Sequence, residues 1–173
     1  MPLMIISQDL NGKWKGGLPQ NDKTFVFTMK VEIQQKGENI SGKAKYVDPT
    51  TNSYVIEKFI GSFKNNSVNI NEYEVVESKI NRGANFTAWC VKTMTGNLLV
   101  DRKQNLLTIE GSWFSSKVWD VRTKKYSQGT CAPGKFFISK ELESLTRISG
   151  VVYNKESLQG IEAELFFENS SEV

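Results

Sequence analysis

Four glutamates stand where carboxylate chemistry could be built. Glu72 and Glu74 alternate in "VNINEYEVVE", which places both on one face of a strand, and Glu57 and Glu110 lie in two other strand-like segments. Two carboxyl groups ~5–10 Å apart in a cleft are the minimum for glycoside hydrolysis, one acting as acid and the other as base or nucleophile. Exposed strand faces also carry glutamates opposite lysines as plain cross-strand ion pairs, and that reading is adopted here, with no residue assigned as catalytic. The remaining inventory is thin. The chain has no histidine, which removes the commonest general base, the Ser-His-Asp and Cys-His nucleophile systems, and most zinc sites. There is no Gly-x-Ser-x-Gly elbow, no phosphate-cradling P-loop and no dinucleotide fingerprint. Cys90 and Cys131 are the two cysteines. They are too few for a four-cysteine metal site, and as nucleophiles they would lack a histidine base. On residue type alone they either pair or remain two separate buried thiols. No metal and no cofactor is expected.

Aromatic residues are the other chemistry-bearing set. Trp14, Trp89, Trp113, Phe114, Trp119 and Tyr126 are the candidates for contact with a ligand or partner. Trp14 and Trp113 each follow a glycine by two residues, in "LNGKWKGGL" and "IEGSWFSS". Glycine weakens a strand unless backbone must bend or approach closely there, and a ring on the same face can lean over the bare backbone. Gly12/Trp14 and Gly111/Trp113 are therefore read as inward rings folded over bends, with packing as their first role. Phe114, Trp119 and Tyr126 lie in or beside a segment without regular patterning, 116–134, which reads as a long connection. If that segment covers a barrel mouth, its rings line a pocket, present a binding patch or anchor the connection itself.

Period-2 alternation must position these residues, because it dominates the chain. In "TFVFTMKVEIQ" Phe25, Phe27, Met29, Val31 and Ile33 share one face, and Thr24, Thr28, Lys30, Glu32 and Gln34 the other. "NISGKAKYV" places Ile40, Gly42, Ala44 and Tyr46 inward. "SYVIEKFIGSF" alternates unevenly around Glu57-Lys58, which predicts a bulge or a change of face there. "KGEN", "DPTTN", "KNNS" and "RKQN" carry turn chemistry, Asp48 bonding the backbone ahead of it. Segments of roughly 8–15 residues separated by turns give an all-β meander, and no helical pattern of a dozen residues interrupts them. The fold is predicted to be an antiparallel lipocalin-like barrel of about eight strands over 9–140, with a β-sandwich as the alternative. The tail 141–173 is predicted as a β-hairpin or the start of a second domain, with one helical turn in "ELESLTR".

A chain of 173 residues, 39% apolar and 24% charged, buries a core without help from metals. Its net charge of +3 is spread in pairs such as Arg102-Lys103, so nucleic acid is not expected as a partner. No stretch approaches the ~18 apolar residues of a membrane-spanning helix. The apolar run Leu3–Ile6 reads either as a first strand or as the end of a signal peptide.

The order of these features resembles a family. "LNGKWKG", then Gln-Lys-Gly-x-x-Ile-x-Gly, then "IEGSW", then "GTCAPGKFFISK" is similar to an uncharacterised lipocalin-like β-barrel domain of Bacteroidetes-type envelope proteins. The tail "ISGVVYNKESLQGIEAELFFEN" resembles the first hairpin of a carboxypeptidase-regulatory-like repeat. The first resemblance implies a Trp14 ring closing the lower barrel end and an extracytoplasmic location, periplasm or cell surface, with the signal peptide missing from this sequence. The oxidising compartment in turn implies a Cys90–Cys131 disulfide. Such a bond closes about 40 residues and stabilises by ~3–4 kcal/mol in the chain-entropy model. The function implied is a non-catalytic interaction module of a cell-envelope protein, expected as a monomer, with a protein or glycan partner. A carrier of a small apolar ligand in the barrel interior is the alternative, opposed by the bulk of Phe25, Phe27, Met29, Tyr46 and Trp113. A glycan-directed hydrolase using paired carboxylates is the third.

Overall fold

The computed structural model describes residues 9–19, 26–84 and 86–142, and the backbone of 146–153 and 160–167. Leu3–Ile6, Phe25 and Thr24 lie outside the described residues. Eight antiparallel strands run β1 (Gly12–Pro19), β2 (Val26–Lys36), β3 (Asn39–Val47), β4 (Tyr54–Lys64), β5 (Ser67–Lys79), β6 (Ala88–Asp101), β7 (Leu106–Asp120) and β8 (Lys125–Glu141). Each pairs with the next, and β8 returns to β1 through Lys15↔Ser139, Gly16↔Ile138 and Gly17↔Phe137, which closes the sheet into a barrel. Closure brings the backbones very near: a Cβ on Gly16 would sit 1.8 Å from the Phe137 carbonyl oxygen, so only glycine fits. A separate unit, 142–173, contains the antiparallel pair β9 (Thr146–Tyr153) and β10 (Gly160–Phe167). The helical turn expected over 141–147 falls largely on residues 143–145, which lie outside the described residues; Glu141 ends β8 and Thr146 begins β9.

Alternation places the core as its period requires. Met29, Val31 and Ile33 of β2, Ile40, Ala44 and Tyr46 of β3, and Val55 and Phe59 of β4 are buried, while Thr28, Lys30, Glu32 and Gln34 are exposed. An apolar interior inside a charged outer face reverses the pattern of a membrane-spanning β-barrel. Among the described residues no helix is long and apolar enough to cross a membrane. The turns after β2, β4 and β6 mark the lower end, and Trp14 lies towards it, paired with Val31. This ring is fully buried, its Nε1 donates to the Leu10 carbonyl at 2.9 Å, and the Lys140 ammonium lies 5.2 Å from its centroid.

The glycine-ring readings need revision. Gly12 has φ of 110° and open space around it, so its need is conformational and Trp14 does not cover it. Gly111 faces Gly96 across β6–β7, where a Cβ would meet the Thr95 carbonyl oxygen at 2.0 Å, and the ring over Gly96 is Phe136 from β8. The ring two residues along covers neither Gly12 nor Gly111.

Segment 116–134 is not a loop. It is the upper half of a β7–β8 hairpin turning over 121–124, with register shifts between Trp113 and Lys117. Cys90 and Cys131 form a disulfide with a Cα–Cα distance of 6.3 Å, joining β6 to β8 past the intervening β7.

Candidate functional site

The upper barrel interior contains a cluster of buried polar groups that strand periodicity and two bulges put in place. Along β4 the alternation Val55, Glu57, Phe59 is unbroken and all three are buried. The irregularity lies in its partner. Phe59 pairs with Glu72 but Lys58 with Glu74, and Glu57 with Val75 but Ile56 with Glu77, so Tyr73 and Val76 are the extra residues of β5. The Tyr73 bulge reverses the face of the residues after it. Glu72 stays inside, whereas Glu74 emerges to pair with Lys58 at 2.9 Å on the surface. Glu72 and Glu74 therefore do not share a face, and Glu110 is exposed on β7.

Lys92 of β6 completes the cluster. Its ammonium lies 2.9 Å from Glu57 Oε2, 3.3 Å from Glu72 Oε2 and 3.7 Å from the Tyr46 ring centroid. It also donates to the Cys90 carbonyl at 2.7 Å. The Tyr46 hydroxyl donates to Glu72 Oε1. Tyr46, Glu57, Glu72 and Lys92 are each at most 7% exposed. Burial and the neighbouring Glu72 raise Glu57 well above the usual carboxylate range, against the pull of Lys92. Burial, with Glu72 and Glu57 nearby, keeps the Tyr46 phenol neutral. For Lys92, burial alone would favour the neutral amine, but Glu57 and Glu72 outweigh it and the amine is held protonated. Glu57 Oε1 is buried with no hydrogen-bond partner among the described residues.

The cluster sits where the sheet is split. β5 and β6 are laddered from Ser67↔Asn97 to Asn71↔Thr93 and no further, although both strands continue upward. Side chains serve the backbone groups that the split leaves over. Lys92 N–H donates to Glu72 Oε2 at 2.7 Å. Val75 N–H donates to the Tyr126 hydroxyl at 2.7 Å. Trp119 Nε1 donates to Ser78 Oγ at 3.1 Å. Buried backbone donors need partners, and here carboxylate and phenol oxygens replace the missing strand.

The six aromatic candidates fall into distinct places. Trp14 is buried towards the lower end. Trp119 and Tyr126 meet edge to face at 4.7 Å, with Lys117 3.8 Å from the Tyr126 centroid. Trp89 meets Phe27 at 5.8 Å and Phe86 at 4.8 Å. Trp113 is buried, with its Nε1 2.7 Å from where a Gly134 Cβ would stand. Phe114 is apart from all of them on the outer face, 55% exposed. Neither Tyr46 nor Lys92 was singled out by sequence. The available signal was a charged residue at an inward parity, Lys92 two places before Met94 and Glu72 two after Ile70. Among the described residues no group of three or more His, Cys, Asp or Glu could hold a metal ion. Comparison with known proteins finds no matching family model, no matching curated protein and no matching solved structure.

Proposed function

We propose that the barrel is a non-catalytic binding module that meets its partner, a protein or glycan of a bacterial cell envelope, with its outer surface. The observation that carries this reading is the filled interior: Trp14, Met29, Tyr46, Phe59, Met94, Ile109 and Ile138 are all buried inside a closed eight-stranded sheet, a size of barrel that side chains alone can fill. The outer face of β7–β8 supports it further. Phe137, 43% exposed, lines an open groove there with Glu110 and Lys135, Phe114 is 55% exposed elsewhere on β7, and aromatic residues dominate binding hot spots. The buried pair argues against a hydrolase, since Lys92 binds both Glu57 and Glu72 and neither is exposed to a substrate. The disulfide favours an oxidising, extracytoplasmic setting.

One observation favours the carrier reading. The indole Nε1 groups of Trp89 and Trp113 are buried with no acceptor among the described residues, and an internal ligand or water could supply one. Native mass spectrometry of protein purified gently from its own host separates the two. A bare monomer mass is expected. A stoichiometric small-molecule adduct would replace the surface reading with the carrier.

A further inference from the structure

The split between β5 and β6 has a counterpart on the other side. Among the described residues β8 meets β1 only at Phe137–Ser139, so its stretch above Gly134 has no ladder to β1. The upper parts of β6, β7 and β8 are nevertheless laddered to one another, through Trp89↔Trp119↔Tyr126 and Cys90↔Val118↔Ser127. The disulfide Cys90–Cys131 ties their two outer strands. Register irregularities fall at one level across all three: between Val91 and Thr93 in β6 and between Trp113 and Lys117 in β7–β8. Bulges are the places where strands bend. The level is also where β6 parts from β5.

We propose that residues 88–91, 115–120 and 125–133 form a stapled three-stranded flap, hinged at the bulge line and latched to β5 by side chains alone, that opens as one body over the buried Tyr46–Glu57–Glu72–Lys92 cluster. The latch consists of the Tyr126 hydroxyl on Val75 N–H, the Trp119 indole on Ser78 and, at the hinge, the Glu72 carboxylate on Lys92 N–H. The Trp89 ring against Phe27 of β2 adds an apolar contact. Among the described residues opening breaks these contacts and the bond from the Lys92 ammonium to the Cys90 carbonyl, but no strand ladder. A conventional barrel seam would have to break a run of backbone hydrogen bonds to do the same, and local opening is easiest where few such bonds are crossed. The inference goes beyond the surface-binding reading and holds whichever partner the barrel has.

A rigid flap makes an unusual prediction for amide exchange. Val75 and Lys92 N–H are held only by the latch, whereas Lys117, Val118 and Trp119 are paired on both sides within the flap, where Lys117 N–H donates to Ser115 Oγ at 3.3 Å. Residue-resolved hydrogen exchange on the full oxidised chain should therefore show Val75 and Lys92 exchanging at least about tenfold faster than Ala44 of the barrel wall, with Lys117–Trp119 staying slow. Tyr126→Phe, which touches Val75 and not Lys92, should speed both amides several-fold and leave Ala44 unchanged. Acetylation of the Lys92 amine by a small amine-reactive reagent should rise in step. Several results would overturn the flap. Val75 and Lys92 could be as slow as Ala44, Lys117–Trp119 could be as fast as they are, which is local melting, or Tyr126→Phe could affect Val75 alone. The wild-type exchange pattern decides the matter even if the variant folds poorly.

Discussion

The lower and upper halves of this barrel are held by different physics. Below the level of Asn71 and Thr93 every neighbouring pair of strands is laddered and the interior is apolar, from Trp14 to Ile138. Above that level the β5–β6 seam and, among the described residues, the β8–β1 seam are unladdered, and an ammonium, two carboxyls and a phenol occupy the interior. Ladders with an apolar core give stability. Buried ionic groups give little net stability against well-packed apolar residues, yet removal of one member is costly. The upper half therefore keeps a specific arrangement of split strands at the expense of strength, which suits a part that moves.

Breaking the lower half should have the largest effect. Trp14→Ala removes a fully buried ring and its bond to Leu10, and is expected to cost ~3–5 kcal/mol in denaturant unfolding. In the upper half Lys92→Met strands Glu72 without its cation, with an expected loss of about 3–4 kcal/mol. Replacing Lys92, Glu57 and Glu72 together by Met, Leu and Leu should lose much less, despite freeing Lys92 N–H. A triple variant as unstable as Lys92→Met alone would contradict the contrast between the halves. Cys90→Ser with Cys131→Ser opens a link spanning 41 residues, and the expected loss is at most about 4 kcal/mol in the chain-entropy model. That loss should be accompanied by separate exchange rates in the three flap strands.

The smallest expected effect is a pH dependence. Glu57 is raised well above the ordinary carboxylate value in the folded chain, by burial first and Glu72 second. The folded state then holds a proton that the unfolded state releases from about pH 4.3 upward, so this residue lowers stability as pH rises through that range toward its folded value. Glu57→Gln should remove that component. The difference in unfolding free energy between variant and wild type should move in favour of the variant between about pH 4 and 7, and a flat difference would mean that Glu57 is ionised in the fold. Asp48 contributes the opposite slope. Burial alone would raise it, but the hydrogen bonds from Thr51 and Thr50 outweigh that and lower it, so its stabilisation is present above the unfolded value and lost in acid.

Strand alternation made the lower barrel legible. Met29, Val31, Ile33 and Tyr46 turn inward as their spacing requires, and the turn residues fall where expected, with Asn65 and Asn66 at φ of 51° and 63° in a two-residue hairpin loop. Asp48 accepts from Thr50 N–H at 2.8 Å, as its turn chemistry implied. The flap was read as a connection for a physical reason. In β8 from Lys125 to Lys135 no residue is buried, and a strand that buries neither face has no period to display.

What the sequence by itself determined is therefore the all-β class, the inward faces of the lower strands and the exclusion of histidine chemistry. These depend on local spacing and on residue type. Tertiary structure alone decided that Glu72 and Glu74 part company, because the extra residue Tyr73 is defined only against its partner strand. It also decided that Tyr46, Glu57 and Glu72, from three strands, converge on the ammonium of Lys92 from a fourth. Convergence depends on register and closure, and these are set by the balance of the whole sheet and not by any one segment of it.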